Sequence, residues 1–238
     1  MDKNTYALIT EYMLSCMGDS AHDTEHIYRV LYAALDIAGA EEAVTGNGAI
    51  DRDVLVCACL LHDISRGDQF ADPSVCHAET GAKKAADFLI NNGFNSEFAE
   101  KVGVCIYSHR FRSSVDMDKS RIEAKILYDA DKLDAAGTFG VARSLFYNAI
   151  MGEPLYLTDA NGNVSDGTND KTPSFFKEYK YKLENIYTGF HTERGRELAL
   201  NRQTSAAAFY GDTYREAMAL YNNGRVLLND FLYGNKNK

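Results

Sequence analysis

The stretch Leu60-Leu61-His62-Asp63 decides how this sequence is interpreted. It closes an apolar run that begins at Val54, and it places an imidazole directly beside a carboxylate. Leu55 and Ala58 recur with His62 at helical spacing, so the imidazole should point the way the apolar face points. Burying both groups without partners would be costly, and a divalent cation could satisfy them together. A core histidine held by hydrogen bonds is the alternative for this pair taken alone.

The chain is long for one average domain but can still be one, and its composition is that of a globular protein. The chain has 238 residues, of which 45% are hydrophobic and 25% are charged. Its longest uncharged apolar run, 54–61, is shorter than the roughly 20 residues that cross a membrane, and the first residues lack a signal-peptide pattern. The net charge of −9 argues against a broad grip on nucleic acid or anionic membrane. Five cysteines without an export signal favour reduced thiols and a cytoplasmic location.

Helical patterning dominates the chain, because prolines are few and strict strand-type alternation is almost absent. Gly67 is expected to end the helix that carries His62, and Asp72-Pro73 should begin the next one, with His77 one turn inside it. A polar segment rich in Gly, Asn and Asp predicts a loop at 152–173. The predicted helices span about 4–17, 23–39, 51–65, 74–92, 96–109, 119–136, 138–151, 174–189, 192–209 and 212–233.

Two further histidines share apolar helix faces with core residues. His26 lies beside the core stripe of the second helix, four residues after His22 and three before Arg29. His109 follows Val102 by seven residues, so both lie on the same face of their helix, which should be buried. Each histidine alone is explained as well by a structural role, so the argument depends on the set.

An acidic segment supplies the last candidates. Asp131 follows Leu127 by one helical turn and therefore lies on a face that is apolar one turn earlier. Asp129 is rotated from Asp131 by about 200° at the usual ~100° per residue. Asp131, rather than Asp129, is thus the carboxylate expected to point inward.

Taken in order, these segments resemble the HD-domain metal-dependent phosphohydrolase superfamily, whose signature is H…HD…D. His26 and the residues to Val30 resemble the first segment, Leu61 to Ile64 the paired segment, and Asp129 to Asp134 the last one. The resemblance implies an all-α fold: a single HD-type domain over 1–238, built as a helical bundle with a core at about 20–150. Helices at 174–234 would form a C-terminal extension packed on that core.

The resemblance also implies a site with one or two divalent transition metals. Mn, Fe, Ni or Zn would suit the mixed ligands better than Mg, although Mg remains open. His62, Asp63 and His109 would serve catalysis, with His109 or His77 as general acid if there is one metal. The implied metal ligands are His26, His62, Asp63 and Asp131, joined by His77 and His109 in a binuclear site. The residues expected to bind substrate or orient the site are His22, Arg29, Arg66, Arg110, Lys132 and Asp134.

The function that the resemblance implies is hydrolysis of a phosphoester or phosphoanhydride bond in a nucleotide-like small molecule. The partner would be that phosphorylated small molecule, while the oligomeric state stays open. Two alternatives remain at this point. Some binuclear HD proteins are iron oxygenases, and a non-catalytic ligand-binding module could keep the fold. The module is disfavoured because every metal-binding position is retained.

Overall fold

The computed structural model describes residues 1–17, 24–46, 48–110 and 116–234. Within these ranges the secondary structure is helical, apart from turns and one isolated antiparallel bridge between Thr158 and Val164. The all-α prediction is confirmed. The helices are α1 (Lys3–Cys16), α2 (Thr24–Thr45), α3 (Arg52–Leu61), α4 (Arg66–Ala71), α5 (His77–Asn91), α6 (Ser96–Ser108), α7 (Ile122–Leu133), α8 (Gly137–Ile150), α9 (Phe175–Glu178) and α10 (Glu193–Tyr233).

The chain divides into two compact units. The first comprises Met1–Asp134 and Phe190–Leu198, and the second Ala135–Gly189 and Ala199–Lys238. In the first unit α5 packs against α6, while α2, α3 and α7 pack on one another and α3 and α7 also on α6. The core of the second unit is aromatic, with the rings of Tyr179 and Tyr210 stacked at 4.0 Å between centroids. None of the described helices has the length and apolar character needed to cross a membrane.

The helix that precedes the His62-Asp63 pair is buried over most of its length. The Asp51 carboxylate caps α3 by accepting a hydrogen bond from the amide of Val54 at 3.2 Å. Residues 57–61 are completely buried, which accounts for an apolar run without an outward polar face. This helix therefore carries the pair that follows it into the interior of the first unit.

The predicted helix 51–65 is wrong at its end. The structure ends α3 at Leu61, makes a turn and starts α4 at Arg66, so that Gly67 lies inside α4 rather than at a helix end. The imidazole of His62 supplies a reason, because its Nδ1–H donates to the carbonyl of Cys59 at 2.8 Å. A continuing helix would use that carbonyl for the amide of Asp63.

The helix prediction needs correction in three other places. The helix predicted for 74–92 begins at His77, because the Asp72 carboxylate accepts hydrogen bonds from the amide and hydroxyl of Ser74 and holds a turn there. The helices predicted for 192–209 and 212–233 are one continuous helix, α10, which runs through Gly211. An interior glycine costs a helix only about 1 kcal/mol, and the stacked rings of Tyr210 and Tyr214 flank it. The segment 174–189, predicted as one helix, is α9 followed by a π-turn and a 3₁₀ turn.

Asp129 ties the start of α10 to α7. Its carboxylate accepts hydrogen bonds from the amide of His191 at 2.9 Å and from the amide and hydroxyl of Thr192 at 2.7 and 2.6 Å. The hydroxyl of Thr192 in turn accepts from the amide of Gly195. A Cβ atom at Gly195 would lie 2.4 Å from Oδ2 of Asp129. The absence of a side chain at this glycine is what lets the carboxylate sit against the helix start.

We predict that Gly195→Ala destabilises the protein by about 1–3 kcal/mol, because the new methyl group collides with the Asp129 carboxylate. Alanine is otherwise the better helix former, so the sign of the change is diagnostic. The measurement is the free energy of unfolding from urea denaturation. The matched control is Gly224→Ala in the same helix, where a Cβ would meet nothing within 4 Å. That variant should gain roughly 0.5–1 kcal/mol; a gain for both would contradict the collision.

Candidate metal centre

Three helices bring the first group of candidate ligands together. His26 comes from α2, His62 directly follows α3 and Asp131 comes from α7. Nε2 of His26 lies 3.4 Å from Nε2 of His62 and 3.4 Å from Oδ1 of Asp131. All three residues are buried. We call them the first trio.

The second trio consists of Asp63, His77 and His109. His77 is the first residue of α5 and His109 the residue after α6, so the close packing of these two helices sets their rings side by side. Their Nε2 atoms are 3.3 Å apart. Oδ1 of Asp63 lies 3.7 Å from Nε2 of His77 and 3.6 Å from Nε2 of His109.

Asp63 connects the two trios. While its Oδ1 faces the second trio, its Oδ2 lies 3.6 Å from Nε2 of His26 and 3.8 Å from Nε2 of His62. The structure thus brings all six predicted metal ligands into one buried cluster. In each trio, one donor atom per residue lies within 4.8 Å of the others. Nitrogen and carboxylate donors at these separations fit one divalent transition metal per trio.

Three of the histidines turn the same ring nitrogen toward the cluster. Nδ1–H of His62 donates to the Cys59 carbonyl, and Nδ1–H of His109 donates to the Ile106 carbonyl at 2.5 Å. Nδ1 of His26 lies 2.7 Å from Oδ2 of Asp134. These partners fix a proton on Nδ1, so Nε2 is the ring nitrogen that faces the cluster in each of them.

Burial and carboxylates act in opposite directions on the first two histidines. Burial opposes protonation of His26, yet the carboxylates of Asp131, Asp134 and Asp63 outweigh it and raise its pKa to about 10. His62 is fully enclosed, and burial lowers its pKa to about 4 despite the nearby Asp63. Binding of a cation at Nε2 of His26 would therefore release a proton.

The two acids of the cluster are held ionised. Burial favours the neutral acids, but Arg66 and His62 lower the pKa of Asp63 well below its usual value. Lys132 and His26 do the same for Asp131. The carboxylates are consequently in the form that binds metal.

Two of the candidate cations brace the carboxylates of the cluster. Nε of Arg66 lies 3.0 Å from both oxygens of Asp63. Nζ of Lys132 donates to Oδ2 of Asp131 at 2.7 Å and to the carbonyl of His109 at 3.3 Å, which links the two trios. Their roles in substrate binding remain predictions.

Arg110, Arg29 and Asp134 lie just outside the six donors. Nη1 of Arg110 contacts Sγ of Cys76 at 3.1 Å, and the sequence predicts no role for Cys76, which directly precedes His77. Nε of Arg29 donates to Oδ1 of Asp134 at 2.7 Å, and Asp134 is buried behind His26. This placement favours a supporting role for Asp134 and Arg29 over direct contact with substrate. His22 lies outside the described residues.

The segment that carries the six candidate ligands resembles a known protein family. Residues 24–136 match the family model of the HD domain. A predicted HD-superfamily hydrolase from an uncultured Thermotogales bacterium has a similar structure, with a TM-score of 0.56 at 26% identity over 91% of this chain and 99% of the other. The segment 24–136, which includes all six candidate ligands, is therefore similar to an HD domain.

Among its relatives is YpgQ of Bacillus subtilis, an uncharacterized protein that is 28% identical over 192 residues, 80% of this chain and 82% of YpgQ. The crystal structure of YpgQ in complex with ADP matches with a TM-score of 0.64 at 25% identity, over 88% of this chain and 96% of that chain. A structure from Lactobacillus plantarum shares the fold, with a TM-score of 0.70 at 20% identity over 92% of this chain and 99% of the other.

We predict that Asp134→Ala weakens binding of the first metal about 10–100-fold, because His26 loses the partner that fixes its ring. The measurement is a titration of the metal-stripped protein with Mn²⁺ by calorimetry. Glu42→Ala is the control, since Glu42 also holds an arginine, Arg52, but far along α2 from the cluster. An unchanged Mn²⁺ affinity in Asp134→Ala would show that His26 does not depend on this carboxylate.

Proposed function

We propose that this protein is a metal-dependent phosphohydrolase that cleaves a phosphoester or phosphoanhydride bond of a nucleotide-like small molecule. The observation that carries the proposal is the placement of Asp63, whose two carboxylate oxygens face two different trios of buried donors. A carboxylate in this position is suited to lie between two cations. Bound divalent cations supply an activated water and charge neutralisation for phosphoryl transfer.

The protein's own cations support a phosphorylated substrate. Arg66, Arg110 and Lys132 all contact residues of the cluster or their immediate neighbours. Arg66 is the candidate for direct contact with a phosphate oxygen, because a third of its side chain is exposed at the edge of a buried site. A guanidinium is matched to phosphate by geometry as well as charge.

The choice of a nucleotide is motivated by YpgQ, whose structure was determined with ADP. The five cysteines are unpaired thiols, which agrees with the cytoplasmic location that we propose.

Six nitrogen and carboxylate donors would also suit a binuclear-iron oxygenase. The arginines and the lysine around the cluster favour phosphate chemistry instead.

The proposal predicts that the Mn²⁺-loaded protein releases phosphate or pyrophosphate from at least one nucleoside di- or triphosphate under anaerobic conditions. Asp63→Asn should lower kcat/KM by at least about a hundredfold, because removing its charge disrupts both trios. Asp53→Asn is the matched control, since Asp53 is exposed and outside the cluster. Activity that requires oxygen, or equal activity in both variants, would refute phosphohydrolysis at this centre.

The ligand assignment has its own test in the helix α7. Asp131→Asn should lose the first metal, because Asp131 lies in the first trio. Asp129→Asn should keep it, since the carboxylate of Asp129 is bonded to His191 and Thr192. Elemental analysis of the purified variants measures the difference, and the opposite result would reverse the assignment.

A further inference from the structure

The helix α10 carries an apolar stripe through the second unit. Ala206, Tyr210 and Ala217 lie on this stripe, and all three are buried in the aromatic core of the unit. Their spacings of four and seven residues are those of one helix face that packs on a neighbour. Tyr221, four residues further on, is partly buried against the same core. The core of the unit therefore covers the stripe as far as Tyr221.

The stripe continues past Tyr221 into solvent. Leu228 and Phe231 follow Ala217 by 11 and 14 residues, close to three and four full turns, so they lie on the same side of α10. Every described residue from 222 to 234 is exposed. We call four side chains, which are between 55% and 78% exposed, the terminal stripe: Leu220, Leu227, Leu228 and Phe231.

Local sequence does not explain why this end of the chain is helical. Asn222, Asn223 and Gly224 are poor helix formers and follow one another directly. Helical segments of a few turns are marginal in water unless an apolar face packs on something. The helix nevertheless runs on to Tyr233. Its end therefore calls for a cover that the described part of the chain does not supply.

We propose that the terminal stripe is covered by the same stripe of a second copy of this chain, so that the protein is a dimer joined through its α10 ends. Two-fold pairing of a surface with itself is the commonest way in which soluble proteins assemble. Burying the terminal stripe of both copies, with Leu232 and Tyr221 at its edge, would remove on the order of 1,000 Å² of surface. A specific interface needs about that area.

The polar side of the helix end argues against a membrane surface as the cover. The charged residues within 220–233 are Arg225 and Asp230, one of each sign. A helix that lies on an anionic membrane is rich in Lys and Arg on its polar face. Arg225 is also engaged within its own chain, since its Nη1 donates to Oδ1 of Asn163 at 3.0 Å. With so little charge around it, the terminal stripe can face its own copy without repulsion.

The first experiment measures the mass of the full chain in solution, by light scattering and sedimentation, over a range of micromolar concentrations. No nucleotide is added, so the outcome is independent of the proposed function. We expect a dimer, and in Leu228→Glu a dimer that dissociates at least about a hundredfold more readily, because a buried unpaired carboxylate is costly. A wild type that is monomeric at every concentration would overturn the proposal. If that monomer bound phosphatidylserine vesicles, a membrane would be the cover instead.

Two control variants separate the terminal stripe from other exposed apolar side chains. Val226→Glu adds the same charge two residues away, on the opposite side of α10, where Val226 is 59% exposed. Phe146→Glu adds it on α8, where Phe146 is 67% exposed in the same unit. Both variants should remain dimers. If Phe146→Glu separates the copies and Leu228→Glu does not, the copies meet through α8 and the proposal is wrong.

Hydrogen exchange of the wild type locates the contact without a variant that must fold. The amides of 222–233 should exchange at least about tenfold more slowly at a concentration where the dimer forms than at one where it dissociates. Exchange within α5 is the reference and should not depend on concentration. A dimer whose α10 end exchanges at the same rate as in the monomer would be joined elsewhere, which would also overturn the proposal.

Discussion

The site depends on keeping two buried carboxylates ionised, which requires a positive charge beside each of them. Asp63 and Asp131 are buried, and each is held by a cation of the same chain, Arg66 or Lys132. An uncompensated buried charge would cost several kcal/mol, so neither acid could be kept without such a partner. The same two acids would supply the negative charge at a metal site. At Asp63 the guanidinium of Arg66 and a metal would compete for the same oxygens, whereas Lys132 holds Oδ2 of Asp131 and leaves Oδ1 to the cluster.

That competition explains why the supporting residues matter as much as the six donors. Histidine rings in the cluster are oriented by backbone carbonyls, by Asp134 or by Arg66, and each partner decides which nitrogen is available. The carbonyl partners come from the last turns of α3 and α6, so the ends of these helices orient the rings of His62 and His109.

Much of this could be predicted from the sequence. The helical class, the inward direction of His26, His62, His109 and Asp131, and the separate position of Asp129 all follow from spacing on helices. The proximity of the six residues could not be derived from spacing, because it depends on how α2, α3, α5, α6 and α7 pack; only the resemblance indicated it. The helix ends were mispredicted where side chains take part in backbone hydrogen bonding, as at His62 and Asp72. The pairing of Arg110 with Cys76 carried no sequence signal beyond adjacency to His77.

The helix α7 presents two acids, two residues apart, to entirely different surroundings. Asp131 belongs to the cluster of candidate metal ligands, and Asp129 holds the beginning of α10. A genetic selection that scores only lost function would return both positions and would suggest a pair of catalytic acids. Heating would tell them apart, since a lesion at Asp129 acts through the folded state and should be relieved at low temperature. A temperature-sensitive allele of this protein is thus expected at Asp129, the carboxylate that supports the fold.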